Sequence, residues 1–190
     1  ERCRFYHDSF SIGKQKKVQT LVSPGFVQPR LFFSTRGNKK KTMATNENVI
    51  TTCVNAFIDY ELQFLNALVE VFPEDTNLKA SKLEFTMATQ HAPEHLREAK
   101  KEELLQTWNK YMGPLASACQ QKNAQAVMQT KNFPPYIQKI NIEQKWSEVD
   151  EETREVIWQY LNELQKYSQM YLLYKAVPNN MMQKIQTMAM

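Results

Sequence analysis

The chain has 190 residues, of which 42% are hydrophobic and 23% are charged. This length and composition suit one globular domain that buries a core without needing disulfides or metals to stabilise it. No apolar run reaches the roughly 18 residues that a membrane-spanning helix requires, so we expect no transmembrane segment.

Positive charge is concentrated near the N-terminal end of the sequence. Residues 1–42 hold ten of the 24 Lys and Arg and only two acids, for a net charge of +8, whereas residues 43–190 carry a net charge of −4. The overall charge of +4 therefore belongs to the first segment. It does not indicate that the remainder of the chain binds nucleic acid.

Residues 1–42 contain three of the four glycines and no sustained helical period, and we expect them to be a disordered basic leader. Three interpretations of this segment stay open. Residues 30–35 resemble the cleavage region of a mitochondrial presequence, which would make the segment a transit peptide. Alternatively, Met43 is the true start and the preceding residues are an untranslated leader, or the segment is a basic arm that contacts acidic partners.

Apolar residues recur at helical spacing in four long segments after residue 45. Shorter pieces lie between the third and fourth of these, and isoleucines near residue 140 fit either a short helix or an extended piece. The four predicted long helices span residues 46–72, 77–90, 94–112 and 150–174. The sequence therefore predicts an all-α fold, an irregular helical bundle of about five to six helices. The predicted organisation is a basic leader over residues 1–42, a helical domain over 43–178 and a Met-rich tail over 179–190.

The last long segment has the most consistent pattern. Acidic residues in its first turn favour a helix start, because they complement the positive end of the helix dipole. Its predicted core stripe consists of Val156, Ile157, Tyr160, Leu161, Leu164, Tyr167, Ser168, Tyr171 and Leu172. Trp158, Met170 and Leu173 fall outside this stripe. Together with Met181 and Met182 of the tail, they form the candidate partner surface, since exposed aromatic and thioether side chains are common at interfaces.

The sequence offers no convincing catalytic or cofactor-binding motif. Gly113 is the only glycine in residues 43–190, which argues against phosphate-binding loops and nucleophile elbows. His91 and His95 have a spacing that could place two metal ligands on one helix face. However, Pro93 between them is expected to start a helix and to leave His91 outside it, so exposed or capping histidines are the better interpretation.

The three cysteines are far apart and form no CxxC pair, which favours free thiols in a reducing compartment. Cys53 lies on an apolar helix face, where we expect a buried thiol. A nucleophile made from Cys119 and His95 has no support in the sequence. We therefore predict a protein without enzymatic activity, cofactor, metal or small-molecule substrate.

Several short motifs resemble a family of small uncharacterised helical proteins of nucleocytoplasmic large DNA viruses, notably the mimivirus-like and algal-virus lineages. The motifs are Trp146-Ser147, residues 155–161 with Leu164, Phe57-Ile58 and Phe72-Pro73-Glu74. The resemblance covers about residues 46–175 and excludes the basic leader. It implies a helical fold, but no catalytic residues of that family are known to carry over.

The missing catalytic motifs and this resemblance together lead us to predict a protein–protein interaction module with viral or host partners, located in the virion or in the cytoplasm of the infected cell. One alternative is an accessory subunit of a mitochondrial complex, imported through the basic segment. The other is a nucleic-acid-binding protein, for which residues 1–42 would supply the only contact surface.

Overall fold

The structure is a computed structural model that describes residues 46–130 and 132–177. These residues form helices, turns and loops and contain no strand, which confirms the predicted all-α class. The helices in chain order are α1 (Asn46–Val71), α2 (Thr76–Gln90), α3 (Glu94–Met112), a 3-10 turn (Gly113–Leu115), α4 (Ala116–Gln120), α5 (Ala124–Gln129), α6 (Ile142–Glu148) and α7 (Glu151–Ala176). Residues 1–42, which we expect to be disordered, lie outside the described residues, as does the predicted tail over residues 179–190.

Four long helices, α1, α2, α3 and α7, form an antiparallel bundle in which each packs on its two neighbours in the ring. Short turns join α1 to α2 and α2 to α3, so consecutive helices run in opposite directions. Helix α7 lies antiparallel to α1, because Phe64 stacks on Tyr160 with ring centroids 5.2 Å apart while Tyr60 contacts Tyr167 at 5.4 Å. Helices α2 and α7 occupy diagonal positions, because each packs mainly on α1 and α3.

Helices α3 and α7 are joined along their length by side-chain hydrogen bonds. Tyr171 Oη donates to Glu102 Oε1 at 2.6 Å, and Lys175 Nζ pairs with the same oxygen at 2.8 Å. Further along, Ser168 Oγ donates to Asn109 Oδ1. These polar contacts fix the register of α7 against α3, next to the apolar contacts of the core.

Local chemistry explains where the helices begin. Asp75, Asn123, Asn141 and Asp150 each cap the helix that follows, since their side chains accept hydrogen bonds from unpaired main-chain N–H groups in its first turn. Prolines end or bracket α1 and α3, as the sequence predicts. The short helices α4, α5 and α6 and the loop before α6 make up the connection between α3 and α7, and they cover one end of the bundle.

The core contains most of the apolar residues predicted for the last long helix, with one correction. Leu172, assigned to the core stripe of α7, is 50% exposed. Trp146 and Ser147 belong to α6, the short helix that precedes α7. Within the described ranges, none of the helices is both long and apolar enough to cross a membrane.

Candidate functional site

The candidate partner surface on α7 is only partly formed as the sequence predicts. Trp158 is 3% exposed, and its ring lies edge-on to that of Trp146 at a centroid distance of 5.1 Å. Because α6 covers this side of α7, Trp158 is a core residue, and its assignment to a partner surface is wrong. Its burial gives α7 a second buried face beside the main stripe.

Met170 and Leu173 do lie together in an open groove. Leu173 is 62% exposed, whereas Met170 is half-buried and packs against the core. Both side chains line a groove of about 510 Å³ between α7 and the end of α4, where Gln120 forms part of the opposite wall. The other two predicted residues, Met181 and Met182, lie outside the described residues.

Two residues of α7 that line the groove, Gln165 and Asn162, carry side-chain amides. Gln165 is 2% exposed and donates from Nε2 to the carbonyl oxygen of Met112 at 2.7 Å. Its Oε1 has no hydrogen-bond partner in the described part of the chain, and neither has Oδ1 of Asn162. Two buried acceptors therefore lack donors. A buried acceptor without a donor typically lowers the stability of a protein by about 1–3 kcal/mol.

The groove carries little free charge. Among the described residues that line it, Lys166 alone is charged, and its ammonium group forms an ion pair with Glu163 at 3.0 Å. Such a surface favours uncharged donors and apolar side chains over a strongly acidic or basic ligand.

A second candidate site, a cavity of about 90 Å³ that is partly open to the surface, lies at the end of the bundle that the short helices cover. All four long helices contribute walls, as do α5, α6 and the loop that precedes α6. The walls are almost wholly apolar, although Glu61 and Trp108 are among the residues that line them. Glu61 is 1% exposed and Trp108 is 1% exposed.

Burial changes the chemistry of Glu61. Removal from water raises the pKa of its carboxyl group to about 8, although the nearby hydroxyl of Tyr136 acts in the opposite direction. The same burial and the neighbouring Glu61 hold the pKa of Tyr136 well above its ordinary value. At neutral pH the carboxyl group is therefore mainly protonated. Neither Glu61 Oε2 nor Tyr136 Oη has a partner that meets hydrogen-bond geometry in the described residues.

The position of Glu61 in the sequence is itself unusual. Glu61 lies three residues after Ile58 and four before Leu65, in register with the apolar face of α1. A carboxylate in such a position is unusual, because an ionised side chain is rarely buried without a partner. Only the packing of the other helices distinguishes a buried Glu61 from one at the edge of the stripe.

An ion pair closes one wall of the cavity. Lys145 of α6 lies 2.9 Å from the carboxylate of Asp75 in the α1–α2 turn, and its ammonium group is 4.5 Å from the ring centroid of Phe72. Burial tends to raise the pKa of Asp75, but hydrogen bonds from Lys145 and the Leu78 N–H lower it below its ordinary value. The charged pair ties α6 to the start of α2.

The other candidate residues do not form a reactive centre. Cys119 is 0% exposed and burial raises the pKa of its thiol to about 11, whereas a nucleophilic cysteine needs a lowered pKa. Cys53 is buried as predicted, and its thiol pKa is also raised by burial. His95 is exposed, and His91 is exposed at the C-terminal cap of α2, in agreement with the exposed or capping roles predicted for them.

Comparisons of the chain with models of protein families, with curated proteins and with solved structures found no match. The resemblance to proteins of large DNA viruses and the function drawn from it therefore stay predictions.

Proposed function

We propose that this chain is a non-enzymatic interaction protein that binds an extended, uncharged peptide segment of another protein in the groove between α4 and α7. The observation that carries the proposal is the exposed Leu173 beside Met170 in a groove that is also lined by Gln165 and Asn162, two residues with an unpartnered side-chain oxygen.

The chemistry of the partner follows from these groups. An extended peptide presents main-chain N–H groups along one edge, and such donors complement amide oxygens on neighbouring turns of a helix. Apolar side chains of the same segment would pack against Met170 and Leu173, with Leu172, 50% exposed, extending the apolar area at the end of α7. Because Lys166 is already paired with Glu163, a charged partner gains little in the groove.

The viral resemblance, which covers about residues 46–175, leads us to propose partners in the virion or in the infected-cell cytoplasm. The alternatives, a mitochondrial accessory subunit and a nucleic-acid-binding protein, depend on residues 1–42. Those residues lie outside the described ranges, and both alternatives stay predictions.

The test uses peptides selected from a random display library on the full chain. Their affinities are measured by fluorescence anisotropy for the unchanged chain and for L173S and L83S. Leu83 on α2 is 62% exposed, as is Leu173, but it lies on the helix diagonal to α7, so L83S is the matched control. We expect L173S to weaken binding by about tenfold or more, as loss of an apolar anchor does, and L83S to leave it within about twofold.

A second variant, N162A, removes one acceptor from the groove and should weaken the same peptides by several-fold. Equal losses with L173S and L83S, or binding that neither L173S nor N162A affects, would overturn the proposal. A synthetic peptide of residues 178–190 is included in the assay. If it occupies the groove in a Leu173-dependent manner and excludes the selected peptides, the chain's own tail is the occupant and the proposed external partner is wrong.

A further inference from the structure

We infer that the cavity at the covered end of the bundle binds the methyl end of a straight aliphatic chain, as in a lipid-like molecule with a single chain and a polar head group. The last carbons of the chain lie in the cavity, and the head group stays in water. This site shares no lining residue with the α4–α7 groove and does not depend on the proposed peptide binding.

The walls of the cavity determine the chemistry of the ligand. Apart from Glu61 and Lys145, every residue that lines it is aliphatic, aromatic or methionine, and almost no polar atom reaches its surface. Lys145 is already paired with Asp75 at 2.9 Å. Such walls supply dispersion contacts but no hydrogen bonds, so a water molecule inside would lack the polar partners that it needs. A hydrocarbon needs none.

The volume and the opening determine the shape of the ligand. An apolar cavity of roughly 150 Å³ accommodates benzene, so a cavity of about 90 Å³ suits about four carbons. On one side it ends against Leu65 and Trp108, which are fully buried. Because it is partly open, the opening must lie among the half-buried lining residues, such as Ile137 and Ile140. A longer chain can therefore insert its methyl end and leave its polar end outside.

A thin chain suits this opening better than the surface of a partner protein does. Among the described residues, the large apolar side chains with high exposure are Leu83, Met87, Leu96, Leu172 and Leu173. None of them lines the cavity. A protein that inserted a side chain here would need apolar surface around the opening to exclude water from the contact. A single aliphatic chain needs only the cavity itself.

The intrinsic fluorescence of the full chain reports on the cavity, because all three tryptophans, Trp108, Trp146 and Trp158, line it. The probes are two octanols with one bromine each, which quenches an indole on contact. One carries the bromine at the methyl end, and the other carries it on the carbon beside the hydroxyl. We expect the first to quench saturably with a Kd in the millimolar range, since each buried CH₂ strengthens binding about fourfold. The second should quench only weakly, because its bromine stays outside.

A competition experiment tests whether the methyl end is the part that enters. Octanol and octanediol, which carries a hydroxyl group at each end, are each used to displace the first probe. Octanediol would have to place a hydroxyl group among apolar walls, where it loses its hydrogen bonds to water. We therefore expect it to bind about tenfold or more weakly than octanol.

Variants of Val127, which lines the cavity and is 2% exposed, assign the binding to this place. V127F fills part of the space and should weaken octanol binding by about tenfold or more. V127A enlarges the space and should improve the binding of an octanol with a branched methyl end by several-fold. V54A makes the same change at a buried position outside the cavity lining, and should leave that affinity within about twofold.

Several results would overturn the inference: no quenching by the first probe up to its solubility limit, equal quenching by both probes, or octanediol bound as tightly as octanol. Equal effects of V127A and V54A would do the same, and this comparison decides alone if V127F does not fold. If apolar peptides displace the first probe from the unchanged chain more effectively than octanol does, the ligand is a protein side chain and the lipid-like molecule is wrong.

Discussion

Asn46, the first residue of α1, donates from Nδ2 to the main-chain oxygens of Tyr174 at 2.9 Å and Val177 at 2.5 Å. From the sequence, either Thr45 or Asn46 could cap the start of α1. The side chain of Asn46, only 5% exposed, instead supplies donors to carbonyl groups at the far end of α7, which a helix alone leaves without partners. Asn46 thus links the start of α1 to the C-terminal end of α7.

Replacement of Asn46 should lower the free energy of unfolding, and a negatively charged side chain should lower it more than a neutral one. N46A removes the two donors and should cost about 1–2 kcal/mol of unfolding free energy. N46D should cost more, because a carboxylate would face carbonyl oxygens at the negative end of the α7 dipole. Urea unfolding gives both values, with N66D at an exposed position of α1 as the control. An N46D protein as stable as N46A would show that these contacts do not hold the two helix ends together.

Glu61 should make the protein less stable as the pH rises. Its folded pKa, about 8, lies above its ordinary value of 4.5, so between these pH values the unfolded chain has released a proton that the folded chain retains. Stability from this group is therefore fully present below about pH 4.5 and is lost as the pH rises towards 8, by roughly 3 kcal/mol up to pH 7.

E61Q removes this ionisation and should make the protein more stable than the unchanged chain at high pH only. Its unfolding free energy should be close to that of the unchanged chain at pH 5 and should exceed it at pH 8, because glutamine stays uncharged in both states. The measurement is urea unfolding at the two pH values, with E47Q as the control. A difference between E61Q and the unchanged chain that does not vary with pH would mean that Glu61 is ionised in the fold.

Helix limits could be predicted from sequence because neighbouring residues determine them. Helix α3 spans Glu94–Met112, the same residues as predicted, since Pro93 precedes it and Gly113-Pro114 follows. Helix α2 begins at Thr76, one residue earlier than predicted, after the Asp75 cap. Proline and capping side chains act within one turn, so no knowledge of the tertiary packing is needed.

The sites depended on packing and could not be predicted in this way. Trp158 was expected on the surface because seven-residue α6, which covers it, is too short to show a helical period. Glu61 resembles any polar residue at the edge of an apolar stripe until the loop bearing Tyr136 and the other helices enclose it. The sequence likewise does not show that Gln165 and Asn162 line a groove, because the groove forms only where α4 lies beside α7.

The buried cysteines should resist alkylation in the folded protein. Cys119 has a thiol pKa of about 11 and no exposed surface, and Cys53 is 2% exposed with a raised pKa, so few thiolates form at pH 8. We expect iodoacetamide to label both at least about 100-fold more slowly than glutathione in the same solution, and at comparable rates in urea. Peptide mass spectrometry reports each site. Rapid labelling of Cys119 without urea would reveal an opening of the bundle near α4.

Asp75 combines two roles that paired variants can separate. Its Oδ1 accepts from the Leu78 N–H at 3.0 Å, and its carboxylate pairs with Lys145. D75N keeps the cap but loses the ion pair, and should cost about 1 kcal/mol, because the pair is partly shielded from water. D75A also loses the cap and should cost about 2 kcal/mol in total.

The pH dependence of the Asp75 contribution has the opposite sign to that of Glu61. Because its folded pKa is lowered, the stabilisation is present above its ordinary pKa of 3.8 and is lost as the pH falls through the lower folded value. The difference between the unchanged chain and D75N should therefore shrink below about pH 4, as urea unfolding at pH 3 and pH 6 would measure. K145M, which keeps an apolar stem near Phe72, should lose the same pH-dependent part. A D75N effect that is equal at both pH values would show that the ion pair does not stabilise this end of the bundle.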